Sequence, residues 1–299
     1  MKLQAAMEYL NTYMWAILII AVVLVVMIKL NLFNPNFWAA KQQTGACDVI
    51  RIQYGGTTLH CSGGALIPEF VAQFGGSGWI AANGFFPQYT SITYGCCYNN
   101  QLNGMTVSLW MYVPSSAPQM EGNLSYTSEW GEQINANTMT GKLVIGGTMG
   151  SWISSQSTFD QWHFVVMTAQ NNVGEYLYID GKLVNSISSN TFLFTTEPIN
   201  GEYQLASIGG AGPPRWPSKP NFFFSGMISN VQIYNASLSA NQIQSLYLEG
   251  IGGAPINLQH LSAWWPLNGN TNDYSGYGNN GAAWNVIFTD NWYGNYAQP

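Results

Sequence analysis

The acidic residue that most invites a chemical role is Glu8. It lies in Gln4-Ala5-Ala6-Met7-Glu8-Tyr9-Leu10, just ahead of an apolar run, Tyr13 to Ile28, that contains no charged side chain. A carboxylate at the mouth of such a run is costly unless a cation meets it. An interfacial Glu facing lipid headgroups is the ordinary reading. The sharper reading requires a partner charge, for which the amino terminus of a neighbouring copy is the natural candidate. Farther along, Glu129 and Glu132 flank Trp130. Glycoside hydrolysis needs two carboxylates about 5–9 Å apart, which on one strand means acidic residues at alternate positions. This pair does not alternate, so no catalytic constellation stands out and the chain is read as a non-enzyme. His60, His163 and His260 are dispersed, and His163, inside an expected strand, is assigned to packing or hydrogen bonding. Asn270, Asn272 and Asp273 gather oxygens of the kind a hard cation takes, but with a single carboxylate they equally make an Asx-rich turn. Trp130, Trp152 and Trp216 are expected in loops, where they could meet sugars or a partner surface or else belong to the core. Asn123-Leu124-Ser125 and Asn235-Ala236-Ser237 are glycosylation sequons.

Four cysteines, Cys47, Cys61, Cys96 and Cys97, fall in the first third of the chain without a Cys-x-x-Cys spacing. Outside the cell such a set forms two disulfides. Bridging adjacent cysteines strains the peptide between them, so Cys47 and Cys61 are each expected to pair with one member of Cys96/Cys97.

The elements that must carry these residues fall into two parts. Tyr13 to Ile28, at 1.5 Å per residue, spans about 24 Å, slightly short of a ~30 Å hydrocarbon core. Lys29 can snorkel, and Tyr9 and Tyr13 extend the apolar body. Pro35 ends this helix. The whole 299-residue chain has 7% charged, 14% aromatic and 47% hydrophobic side chains. That composition suits an uncharged extracellular β-domain and excludes a disordered chain. With eight basic residues against a net charge of −6 and no Lys/Arg cluster, no nucleic-acid footprint exists. Met105–Val113 and Trp162–Thr168 read as strands. Glu175 to Val184 reads as a hairpin turning at Asp180-Gly181, and Phe222 to Tyr234 as a strand pair turning at Ser225-Gly226. Ser239 to Tyr247 reads as a short Ser-capped helix.

Gln4, Ala6 and Glu8, followed by Thr12-Tyr13-Met14-Trp15-Ala16-Ile17-Leu18, resemble the class III signal peptide of archaeal type IV pilin-like proteins. The resemblance implies cleavage by a prepilin peptidase between Leu3 and Gln4, although Leu3 stands where that family usually has Gly or another small residue. It also implies pairing of Glu8 with the amine of an adjacent subunit during assembly. The chain would then be held in the membrane before joining a helical homo-oligomer at the cell surface. Residues 1–3 would be leader, 4–33 the hydrophobic helix, 34–46 a linker and 47–299 the globular domain.

Val107 to Val113, Trp162 to Val166, Tyr178 to Leu183, Phe224 to Asn235 and the helix after it resemble the concanavalin A-like laminin G domain over about residues 65–250. The resemblance implies a jelly-roll sandwich of two antiparallel sheets, calcium as the cation for the Asn270/Asn272/Asp273 cluster, and a glycan or surface protein as ligand. Trp264-Trp265-Pro266-Leu267-Asn268-Gly269 and Asp273 to Gly281 look like the usual first strands of such a domain but come last. Either residues 262–290 complete a circularly permuted sandwich, or they begin a truncated second repeat. Permutation is favoured, because a partial repeat would leave Trp264 and Trp265 exposed on open edges. The expectation is therefore a structural subunit of a pilus-like filament with an exposed lectin-like, adhesive domain. The rivals are a monomeric membrane-anchored binding protein and a tethered glycosidase.

Overall fold

A computed structural model describes residues 2–29, 41–42, 46–51, 56–62, 67–82, 103–117, 121–126, 133–137, 142–146, 152–188, 206–210 and 223–299. The chain divides into two compact units, Met1–Ala39 and Ala40–Pro299. The first holds α1 (Lys2–Lys29), 28 residues long, with Lys29 in its last turn. Every residue from Tyr13 to Val26 is exposed, although nearly all are apolar. Among the described residues no helix is long and apolar enough to cross a membrane.

The second unit is built from strands. In chain order they are β1 (Lys41–Gln42), β2 (Cys47–Arg51), β3 (Thr57–Cys61), β4 (Ile67–Pro68), β5 (Val71–Ala82), β6 (Gly104–Tyr112), β7 (Glu121–Tyr126), β8 (Gln133–Asn137), β9 (Lys142–Gly146), β10 (Trp152–Ser157), β11 (Trp162–Gln170), β12 (Gly174–Ile179), β13 (Lys182–Ser188), β14 (Ala206–Ile208), β15 (Ser225–Tyr234), β16 (Leu261–Trp265) and β17 (Gly281–Thr289). A second helix, α2 (Ala240–Leu248), follows β15. One layer runs β16-β15-β6-β11-β12-β13 and the other β17-β5-β14-β7-β8-β9-β10, all antiparallel. Strand β15 joins the layers. Its first residues pair with β5, and its last pair with β16. Between them Asn230 takes a left-handed φ of 51° where the register with β6 slips. Such a bulge bends a strand and lets it serve two sheets.

Met105, Val107, Leu109 and Met111 of β6 point into the inter-layer core with Val165, Met167, Leu177, Phe74, Ile80 and Trp265. The opposite face of β6 is also buried, because α2 and residues 292–296 lie over it. Trp110 packs against Phe164, Tyr247 and Tyr296 at 5.4–5.9 Å. The Thr106 hydroxyl meets Thr168 and donates to Ala236 O at 2.8 Å, while Leu238 N donates to it. Thr106 thus finds its partners under a helical lid instead of in water, while the Ser108 hydroxyl and the Trp110 indole N–H are buried beside it without a hydrogen-bond partner.

Several sequence expectations meet the structure here. The Asp180-Gly181 turn carries φ of 51° and 73° and joins β12 to β13, the pair of positive values a two-residue hairpin requires. Helix α2 has a full capping box: the Ser239 hydroxyl accepts from Gln242 N, and the Gln242 side chain accepts from Ser239 N. The strand pair expected at Phe222–Tyr234 is corrected. Ser225-Gly226 opens the single strand β15 instead of turning a hairpin, because both residues are buried and paired to β5. Residues 261–289 enter the same sheet as the rest. β16 pairs with β15 and β17 with β5, and Trp264 and Trp265 are 1% and 0% exposed.

Candidate functional site

The loop between β16 and β17 is organised by one carboxylate. Asp273 Oδ1 accepts from Trp264 N at 3.0 Å and Ser275 N at 2.9 Å; Oδ2 accepts from the Ser275 hydroxyl and from Asn279 N, both at 2.8 Å. Asn280 closes the turn by accepting from Asp273 N at 2.9 Å. Asn270 Oδ1 accepts from Asn272 N, an Asx turn, while its amide donates to the Tyr274 hydroxyl. Of the Asn270/Asn272/Asp273 cluster expected to offer oxygens to calcium, Asn270 Oδ1 and both Asp273 oxygens therefore already accept from protein donors. A cation would have to displace four hydrogen bonds at Asp273. Among the described residues no three His, Cys, Asp or Glu side chains gather as a metal site.

This loop clamps the β2–β3 hairpin. Arg51 donates to Ser275 O at 2.8 Å and to Leu261 O at 2.7 Å, and its guanidinium lies 3.9 Å from the centre of the Tyr277 ring. Burial lowers the Arg51 pKa, opposed by Tyr277 and Asp273. Val49 N donates to Tyr274 O, so the hairpin is pinned at two points. Cys47 and Cys61 face each other across this hairpin and form a disulfide. That corrects the expectation that each bonds to Cys96 or Cys97. The two cysteines are register partners in adjacent strands, so their side chains meet by local pairing alone.

The histidines stay apart in role. His163 Nδ1 lies 2.8 Å from Asp180 Oδ2 at the β12–β13 turn, whose Oδ1 accepts from Phe164 N. His260 Nδ1 lies 3.0 Å from Asn235 Oδ1 of the second sequon, a contact that leaves the asparagine Nδ2 out of the bond. His60 is an exposed residue of β3 opposite Asp48. Trp152, expected in a loop, opens β10, and Asn123 of the first sequon lies within β7. Leu3, Gln4 and Glu8 lie on α1. Cys96, Cys97, Glu129, Trp130, Glu132 and Trp216 fall outside the described residues.

Two features escaped the sequence reading. Glu175 on β12 is 1% exposed, and its Oε2 has no hydrogen-bond partner; desolvation pushes its pKa up to about 7. Trp79 of β5 and Trp284 of β17 are register partners whose rings stack at 4.3 Å and 8°, with Trp284 47% exposed. Nothing local announces either. Glu175 sits in an ordinary alternating run, and the two tryptophans come from opposite ends of the domain's sequence.

Among solved structures the fold is similar to a protein from Bacteroides ovatus named as a carbohydrate-binding candidate. That match has a TM-score of 0.54 and 14% identity, and covers 83% of this chain and 70% of that one. It is also similar to a heptameric SAP-like pentraxin from Limulus polyphemus, with a TM-score of 0.49 and 14% identity, over 76% of this chain and 96% of that one. No curated protein matches the sequence. Residues 88–244 match the model of the concanavalin A-like lectin/glucanases superfamily, Laminin_G_3, more than half of the chain, and the chain belongs to that family.

Proposed function

We propose that this chain is a subunit of a type IV pilus-like surface filament whose concanavalin A-like domain binds carbohydrate without cleaving it. The observation that carries the reading is α1: fourteen consecutive residues, Tyr13 to Val26, are exposed on every side of the helix and nearly all are apolar. A helix apolar all round must be covered by lipid or by other helices. Its apolar run is short of a bilayer core, which favours sister helices as the lasting cover and the membrane as the holding place before assembly. Glu8 then needs a cation at the mouth of that run, and an amine freed by prepilin peptidase cleavage before Gln4 supplies one. The carbohydrate reading rests on the family and on the Bacteroides ovatus likeness. β16 and β17 entering the common sheet support a permuted strand order. Glycans on Asn123 and Asn235, and an outward-facing position at the cell surface, belong to the same proposal. Calcium would enter only by opening the Asp273 loop.

The deciding experiment replaces Glu8 with Ala and compares mass spectra of the mature amino terminus with electron micrographs of cells. A chain starting at Gln4, and loss of filaments with membrane insertion retained, is the expected result. Unchanged surface material, or a single-copy anchored protein with its leader intact, favours the monomeric membrane-anchored binding protein.

A further inference from the structure

We propose that the Trp79–Trp284 ledge is the platform on which the β-domain seats a pyranose ring of an uncharged glycan. This rests on the carbohydrate reading above and names its site. The stack occupies one face of the Trp284 indole with Trp79, which is itself 7% exposed and fixed beneath it. Trp284 keeps 47% of its surface open. A bare indole is normally buried for its apolar area; one held flat against a second ring and left open is a preset stacking surface. The electron-rich ring face attracts the weakly positive C–H edges of a sugar ring while its hydroxyls stay in water.

The surroundings fit that ligand. Strands β5 (Val-Ala-Gln-Phe-Gly-Gly-Ser-Gly-Trp-Ile-Ala-Ala) and β17 (Gly-Ala-Ala-Trp-Asn-Val-Ile-Phe-Thr) hold no charged residue. Neither strand therefore brings a cation to a sialic acid, uronate or sulfate. Beside the stack, β5 slips register against β17 at Gly75-Gly76-Ser77-Gly78. A Cβ on Gly75 would meet nothing within 4 Å, so no side chain rises there to block a flat ligand. At Gly78 the constraint is the reverse: a Cβ would strike the Asn285 carbonyl, so Gly alone lets the strands close under the ledge. Gln73, Ser77 and Asn285 are exposed around it. The Asn285 amide is tied only by a long 3.5 Å bond to Ser77 O, leaving it able to turn toward a sugar hydroxyl. A second copy of the chain is the competing occupant. The bulge at Asn285, with φ of 51°, disfavours it by bending the strand edge that a sister strand would need straight.

The test uses the full-length chain in detergent on an array of neutral oligosaccharides (glucans, galactans, mannans) and anionic ones (sialylated, sulfated, uronic). The wild type should bind a neutral glycan. Trp284→Ala should weaken that binding at least about thirtyfold, the loss expected of an anchoring interface tryptophan. Trp284→Tyr should retain most of it, and Trp284→Ala, which also removes the stack on Trp79, should lower the melting temperature by only about 2–4 °C and leave the domain folded for the assay. Wild-type binding unchanged in Trp284→Ala overturns the platform and leaves the carbohydrate reading standing. No binding by the wild type overturns the carbohydrate reading and the platform with it. Binding confined to anionic glycans overturns the ledge's assigned selectivity. Loss of self-association in sedimentation, with glycan binding intact, hands the surface to a second copy.

Discussion

Among the described residues of the β-domain two carboxylates, Asp273 and Glu175, are withdrawn from water, and they are treated in opposite ways. Asp273, 9% exposed, accepts four hydrogen bonds from Trp264, Ser275 and Asn279. Glu175, 1% exposed, keeps an oxygen with no partner. Glu175 shares the face of β12 that carries Leu177 into the apolar core, and its cross-strand neighbours are Ala169 and Ile187, which offer no side-chain donor. The difference lies in the local backbone. A tight turn aims several N–H groups at one point, whereas a strand commits its N–H groups to its neighbours and leaves the side chain to whatever it faces. Burial alone therefore says little about a carboxylate's role. At Asp273 the ionised form holds a loop together; at Glu175 the protonated form is the one the environment favours.

The largest expected effect is at Asp273. Replacing it with Ala removes the acceptor for three buried backbone N–H groups, so the domain should lose about 4 kcal/mol or more in chemical denaturation. A loss under about 1 kcal/mol would mean that the loop holds without its hub. Glu175 comes next, through pH. Its folded pKa of about 7 lies above the ordinary 4.5, so its favourable contribution is complete below pH 4.5 and is lost as pH rises through 7. Stability should fall by roughly 3 kcal/mol across that interval. Glu175→Gln, neutral throughout, should flatten this slope; a slope that survives the substitution would place its source elsewhere. The smallest effect is at Ser239, which also satisfies a turn of backbone donors but in reach of water. Ser239→Ala should cost only about 1 kcal/mol in melting experiments, and the gap between it and Asp273→Ala measures what burial adds to the same chemistry.

Locally determined features of this fold were legible in the sequence. Asp180-Gly181 announces its hairpin because few residue pairs accept two positive φ values, and Ser239 announces α2 because its hydroxyl replaces a missing backbone acceptor. The burial of Trp264 and Trp265 was legible for a different reason: two exposed tryptophans on open edges are a hazard. Features that depend on which strands become neighbours were not. The Cys47–Cys61 bond follows from the hairpin register, and no rule about adjacent cysteines contains that register. Ser225-Gly226 looked like a turn because Gly often marks one, yet here it lets β15 pass close to Tyr112, where a Cβ would strike the carbonyl. Asp273 was picked out for its oxygens, but its task depends on Trp264 and Asn279 folding around it. Trp79 and Trp284 meet only once the end of the chain returns to the beginning of the domain.

That return also sets a clock. β5 is completed along its length by β17, and a ribosome adding about 5–20 residues each second reaches the second strand roughly 10–40 s after releasing the first. Through that interval β5 lacks its long neighbour, and the nascent β-domain stays incompletely closed. Any escort, export machinery or protease that acts during synthesis therefore meets an open sheet, and the last strand to be made is the one that shuts it.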